Sequence, residues 1–119
     1  MKNLKLSILI LALVLFTSGL VQASVLNMGQ VQQLSIPDNS NGDLLVTQQA
    51  TLPQSAYLES FSFYVTNAAG SLILGLYDAT GENGGPGKLV ATTAAFSPVV
   101  GWNTQPAAVP GTPLNAGVY

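Results

Sequence analysis

Apolar and polar residues alternate with a period of two along three stretches of this chain, the pattern of strands that bury one face. Over residues 44–52 the even positions include Leu44, Val46, Ala50 and Leu52 and the odd ones Thr47, Gln49 and Thr51, with Leu45 and Gln48 out of step. Over 57–65 the odd face carries Phe61, Phe63 and Val65, opposite Ser60 and Ser62. Over 71–78, Leu72, Leu74 and Leu76 share one face and Ser71, Gly75 and Tyr77 the other, with Ile73 as the exception. These three apolar rows are the predicted core, and each buried Leu, Val or Phe contributes roughly 1.5–3 kcal/mol.

Turn-forming residues separate the alternating stretches. Asp38-Asn39-Ser40-Asn41-Gly42-Asp43 combines short side chains that bond the backbone with residues that tolerate positive φ. Residues 67–70 form a candidate tight hairpin. Gly81, Gly84, Gly85, Gly87 and Pro86 are too dense for a regular element, so 81–87 is read as a flexible loop ahead of a strand over 88–93. Pro98, Pro106, Pro110 and Pro113 punctuate the remainder. After residue 23 no apolar pattern of i, i+3, i+4, i+7 persists for three turns. The expectation is an all-β fold, an antiparallel β-sandwich of jelly-roll-like type, because a parallel sheet would require crossover helices. No fixed-period repeat points to a solenoid or propeller.

The N-terminus follows a different rule. Lys2 and Lys5 precede an apolar run over 8–16, and Val21-Gln22-Ala23 supplies a small-residue exit. This is the three-part pattern of a secretory signal peptide, predicted as a helical segment over 1–23 with cleavage after Ala23. The run is shorter than the ~20 residues of a permanent membrane helix, and no cysteine follows it to take a lipid. The expected product is a module over 24–119 that is secreted or held at the cell surface and meets the membrane only during export.

Composition narrows the partners. Removing 1–23 leaves 96 residues, enough for one domain. Lys88 is then the only basic residue against Asp38, Asp43, Glu59, Asp78 and Glu82, a net charge of −4. Nucleic-acid binding needs clustered Lys and Arg to neutralise phosphates, so DNA and RNA are set aside. With no Cys the domain has no disulfide, and its stability rests on burial and backbone pairing.

One series of motifs carries a resemblance. Phe61-Ser62-Phe63-Tyr64-Val65, Leu74-Gly75-Leu76-Tyr77-Asp78, Gly84-Gly85-Pro86-Gly87-Lys88-Leu89-Val90-Ala91, Gly101-Trp102-Asn103-Thr104 and Leu114-Asn115-Ala116-Gly117-Val118-Tyr119 occur in that order. Together they resemble secreted bacterial and archaeal β-sandwich surface modules, over roughly the last half of the chain. In similar modules the last motif continues into a further strand, so the resemblance implies a sandwich truncated after Tyr119. It brings no catalytic residues and no ligand. An incomplete sandwich would expose a strand edge, which a truncated product explains, with completion by a strand from another chain as the functional alternative.

Candidate chemistry is sparse. Gly81 to Lys88 fails the phosphate-loop pattern, because five residues instead of four precede the Gly-Lys pair and Leu89 follows it. Asp78 and Glu82 would serve as a general acid and base only in a walled cleft with one raised pKa, and solvated loop carboxylates are the simpler reading. The same residues with Asn83, or Asp38, Ser40 and Asp43, offer oxygen ligands for Ca²⁺, but EF-hand spacing is not met. No His, no Cys and no Gly-x-Ser-x-Gly elbow is present, so neither an enzyme nor a transition-metal site is expected, and no cofactor is assigned.

Aromatic residues carry the remaining signal. Tyr64, Tyr77 and Trp102, with Asn103 to bond hydroxyls, form the candidate glycan contact, since carbohydrate-binding sandwiches stack sugar rings on exposed aromatic faces. Against that, Trp is highly buried on average, and core packing is the expectation for Trp102. The sequence therefore predicts a non-catalytic exported β-sandwich with a surface-structural or adhesion role. The alternative is a carbohydrate-binding module, and the expected partners are extracellular polysaccharide or cell-surface components.

Overall fold

The computed structural model describes residues 24–36 and 46–119. The predicted signal peptide at 1–23 and the turn at 38–43 lie outside the described residues. Eight short strands follow in order: β1 (Thr51–Leu52), β2 (Ala56–Leu58), β3 (Ser60–Val65), β4 (Gly75–Tyr77), β5 (Leu89–Thr92), β6 (Gly101–Pro106), β7 (Thr112–Leu114) and β8 (Gly117–Val118). A single 3₁₀ turn, Glu82–Gly84, interrupts them, and the described residues contain no α-helix. Among them no helix is long and apolar enough to cross a membrane.

All pairing is antiparallel and nested: β1 with β8, β2 with β7, β3 with β6 and β4 with β5. The chain is thus a ribbon that runs out over residues 50–77, turns once at the glycine loop, and runs back over 88–119. Pairing extends past the named strands. Ala50 and Tyr119 exchange both backbone bonds at 2.9 Å. Leu72 bridges to Phe96, and Thr93 N–H donates to the Leu74 carbonyl at 2.8 Å. The Thr92 hydroxyl also donates to that carbonyl, while the Thr93 hydroxyl accepts from Leu74 N–H.

Several expectations are revised by these pairings. Of the alternating stretch 44–52, the described residues 46–52 contribute only Thr51–Leu52 as strand. The stretch 57–65 divides at Glu59, because its two halves pair with different partners: β2 with β7 and β3 with β6. At the break the Glu59 carbonyl accepts from Ala107 N–H, so the ladder is kept through the corner. Residues 67–70 are not a hairpin, since β3 and β4 pair elsewhere. Within the final motif, Leu114 ends β7 and Gly117–Val118 form β8, which pairs with β1.

The core is small. Among the described residues, Leu52, Val65, Ala107 and Leu114 are the buried apolar ones, and no side chain is fully buried. Leu72, Leu74 and Leu76 are half-buried while Ile73 is exposed, which matches the parity of that stretch. The Phe61, Phe63 and Val65 row is covered unevenly: Val65 is buried, Phe61 half-buried and Phe63 47% exposed. Phe61, Phe63, Leu72 and the segment 24–36 border one open concavity of about 2170 Å³, far too wide for a closed interior, where voids barely exceed a water molecule.

Candidate functional site

Two groups of residues stand out, the glycine loop at the ribbon's turn and the aromatic pair on β3 and β6. Asp78 organises the first. Its carboxylate accepts from Thr80 N–H at 3.3 Å, from the Thr80 hydroxyl, and from Lys88 N–H at 2.8 Å. Its backbone closes the loop as well, with Asp78 N–H donating to the Lys88 carbonyl at 2.9 Å and Gly87 N–H to the Asp78 carbonyl at 2.8 Å. The Thr80 hydroxyl bond, followed by the Lys88 backbone bond, holds the Asp78 carboxyl below the ordinary carboxylate range.

The glycines have separate causes. A Cβ at Gly87 would collide with the Thr80 hydroxyl and the Asp78 carboxylate, and one at Gly81 would collide with the Pro86 and Gly85 carbonyls. Asn83 and Gly84 occupy the left-handed region at φ 55 and φ 76. Within the loop Gly81 N–H donates to the Gly85 carbonyl at 3.0 Å, and Gly85 N–H to the Glu82 carbonyl at 3.0 Å. Gln49, from the outgoing arm, donates its side-chain N–H to the Gly84 carbonyl at 3.2 Å. The turn expected here is a closed, bonded loop. Asp78 is committed to holding it, and its lowered pKa is opposite to what a general acid beside Glu82 would need.

On β3 and β6, residues in register point to the same face. Tyr64 lies opposite Trp102 and Ser62 opposite Thr104. The two hydroxyls are 2.9 Å apart, and the two rings meet edge to face, with centroids 5.4 Å apart and planes at 79°. Trp102 is 46% exposed, so the core position expected for it is not where it sits, and Tyr64 is half-buried. The reason lies in register: Trp102 falls on the side shared with Ser62 and Thr104, away from Val65.

Asn103 and Tyr77 are placed elsewhere. Asn103 follows Trp102 in the strand and so faces the opposite side. It is 5% exposed, its amide donates to the carbonyls of Val99 and Gly101 at 2.7 and 3.0 Å, and its side-chain carbonyl accepts from Val99 N–H at 2.9 Å. Both ends of that side chain hold the bend before β6. Tyr77 belongs to the β4–β5 pair, in register with Leu89, and its ring passes over the bare backbone of Gly75, 3.3 Å from where a Cβ would stand. Of the four candidate glycan contacts, Tyr64 and Trp102 are brought together, and Tyr77 and Asn103 do not join them.

Sequence reasoning missed the hydroxyl pair Ser62–Thr104 and the role of Gln49. The first was hidden because register between distant strands is not written locally. The second is a contact across 35 residues with no spacing to announce it. No protein-family model matches the sequence, and neither a curated protein nor a solved structure matches it.

Proposed function

We propose that this chain is an exported, non-catalytic β-sandwich module of jelly-roll type with a surface-structural or adhesion role. The observation that carries the reading is the nesting of the four strand pairs. A long antiparallel ribbon with this pairing, folded over on itself, generates a two-layer, eight-stranded jelly roll. The export pattern at 1–23 supports the compartment, and the scarcity of charge suits a module that works by shape and hydrogen bonding. The Asp78 carboxylate is occupied with the loop's own backbone and supports a structural role for that loop.

The test is N-terminal sequencing of the protein recovered outside the cell, together with binding of that product to isolated envelope material. A chain beginning at Ser24 that is retained on the envelope supports the proposal. An unprocessed chain in the cytoplasm would falsify it.

A second reading, glycan binding, is favoured by one observation. Trp102 presents nearly half its surface beside the hydroxyls of Ser62 and Thr104. With Tyr64 edge-on, the geometry offers one stacking platform, suited to a single sugar ring and not to a row of them. Retention on insoluble polysaccharide, lost in Trp102→Ala, is the expected result for that reading. Equal retention of the two proteins rejects it.

A further inference from the structure

Among the described residues, the longest strand pair, β3 with β6, leaves the outer edge of β3 without a partner strand. In an antiparallel ladder alternate residues exchange bonds with the partner and the others turn their N–H and C=O outward. The Ala107 N–H to Glu59 carbonyl bond fixes the phase of the β3–β6 ladder, so Phe61, Phe63 and Val65 bond inward. Ser60, Ser62 and Tyr64 therefore aim their backbone groups away from β6, and among the described residues no backbone bond reaches them. Folded proteins blunt such edges with charges, proline or bulges. The sequence Ser-Phe-Ser-Phe-Tyr-Val has no charge and no proline, and its register with β6 is unbroken over six residues.

The same chain carries a segment of complementary character. Residues 31–36, Val-Gln-Gln-Leu-Ser-Ile, contain no charge, no glycine and no proline, and belong to no strand. Val31, Leu34 and Ile36 are exposed, Ile36 to 83%. Six extended residues span about 20 Å, the length of β3. Over 33–36 the alternation matches as well, and Val31 and Gln32 fall outside it. Leu34 and Ile36 share a face, as do Phe61 and Phe63, and Gln33 and Ser35 share the other, as do Ser60 and Ser62. Segment 24–36 borders the same concavity as Phe61 without taking the β3 edge.

We propose that residues 31–36 of one copy add as a strand to the β3 edge of a second copy, so that the module assembles with itself by strand addition. Leu34 and Ile36 then cover Phe63 and part of the open concavity. The inference rests on the strand pairing and on the character of residues 31–36, and stands whether or not the module acts in adhesion.

Sedimentation of the processed chain over a wide range of concentration tests it, with Ser62→Pro and Leu34→Lys as variants. Proline at position 62 removes an outward N–H and leaves the β3–β6 ladder its bonds. The expected result is concentration-dependent association, weakened at least about tenfold by each substitution. A monomer at every concentration, or an oligomer insensitive to either substitution, overturns the proposal. Should Ser62→Pro fail to fold, amide exchange of the unsubstituted chain decides: protection at Ser62 and Tyr64 that rises with concentration supports strand addition, and protection independent of concentration refutes it.

Discussion

Asp78 and Lys88 clasp the base of the glycine loop from both sides: Asp78 N–H donates to the Lys88 carbonyl at 2.9 Å, and Lys88 N–H donates to the Asp78 carboxylate at 2.8 Å. The second bond ties the stability of the turn to the ionisation of one acid. The folded pKa of Asp78 lies below its unfolded value, so its contribution is complete above the unfolded carboxylate range and is lost as pH falls through the lower folded value. Asp78→Asn should melt at a lower temperature than the native chain at neutral pH. Below about pH 4 the gap should narrow, and a gap that stays constant across acid melts would refute the linkage.

Gly87 tests the steric side of the same turn. A methyl group there meets the Thr80 hydroxyl and the Asp78 carboxylate, so Gly87→Ala should destabilise by roughly 1–3 kcal/mol, the usual range for an overpacked site. Ser97→Ala, at an exposed position, should stay within about 0.5 kcal/mol. Denaturant titration of both variants makes the comparison.

Asn103 is predicted to matter for stability and not for ligand contact. Asn103→Ala removes three bonds to the backbone of Val99 and Gly101 in a buried place and should lose about 1–3 kcal/mol. Binding to any glycan, compared at a temperature where both proteins are folded, should be unaltered.

The apolar rows differ in depth, and the differences should be measurable. Leu114→Ala, at a buried position on β7, should cost about 2 kcal/mol or more. Leu74→Ala, half-buried, should lower Tm clearly more than Ser71→Ala. Equal Tm values for the last two would reject the assignment of faces over 71–78.

Tyr64 and Trp102 should be coupled. A double-mutant cycle with Tyr64→Leu and Trp102→Leu is expected to give an interaction of about 0.5–1.5 kcal/mol, as edge-to-face pairs do. Additive losses would mean that the two rings touch without stabilising one another.

What was legible in the chain was local. Parity placed Leu72, Leu74 and Leu76 inward and Ile73 outward, because a strand's two faces are set by neighbours two residues apart. The all-β character followed from the same alternation and from the missing helical period. Pairing partners were not legible: β3 meets β6 across some forty residues, and nothing within either strand specifies the other. The exposure of Trp102 and the burial of Asn103 follow from that register, which is why the residue types suggested the reverse. Asp78 was read as a solvated loop carboxylate, with acid–base chemistry as the lesser reading, and the bonds to Thr80 and Lys88 show it instead holding the turn.

Nested pairing also sets an order of events. Only β4 and β5 are neighbours along the chain, while Thr51 must find Val118, and contacts so distant in sequence form slowly unless inner ones form first. The nesting therefore predicts that closure starts at the glycine loop and zips outward. Each outgoing strand thus gains its partner only after every strand nested inside it has been made, and β1 waits longest, for β8.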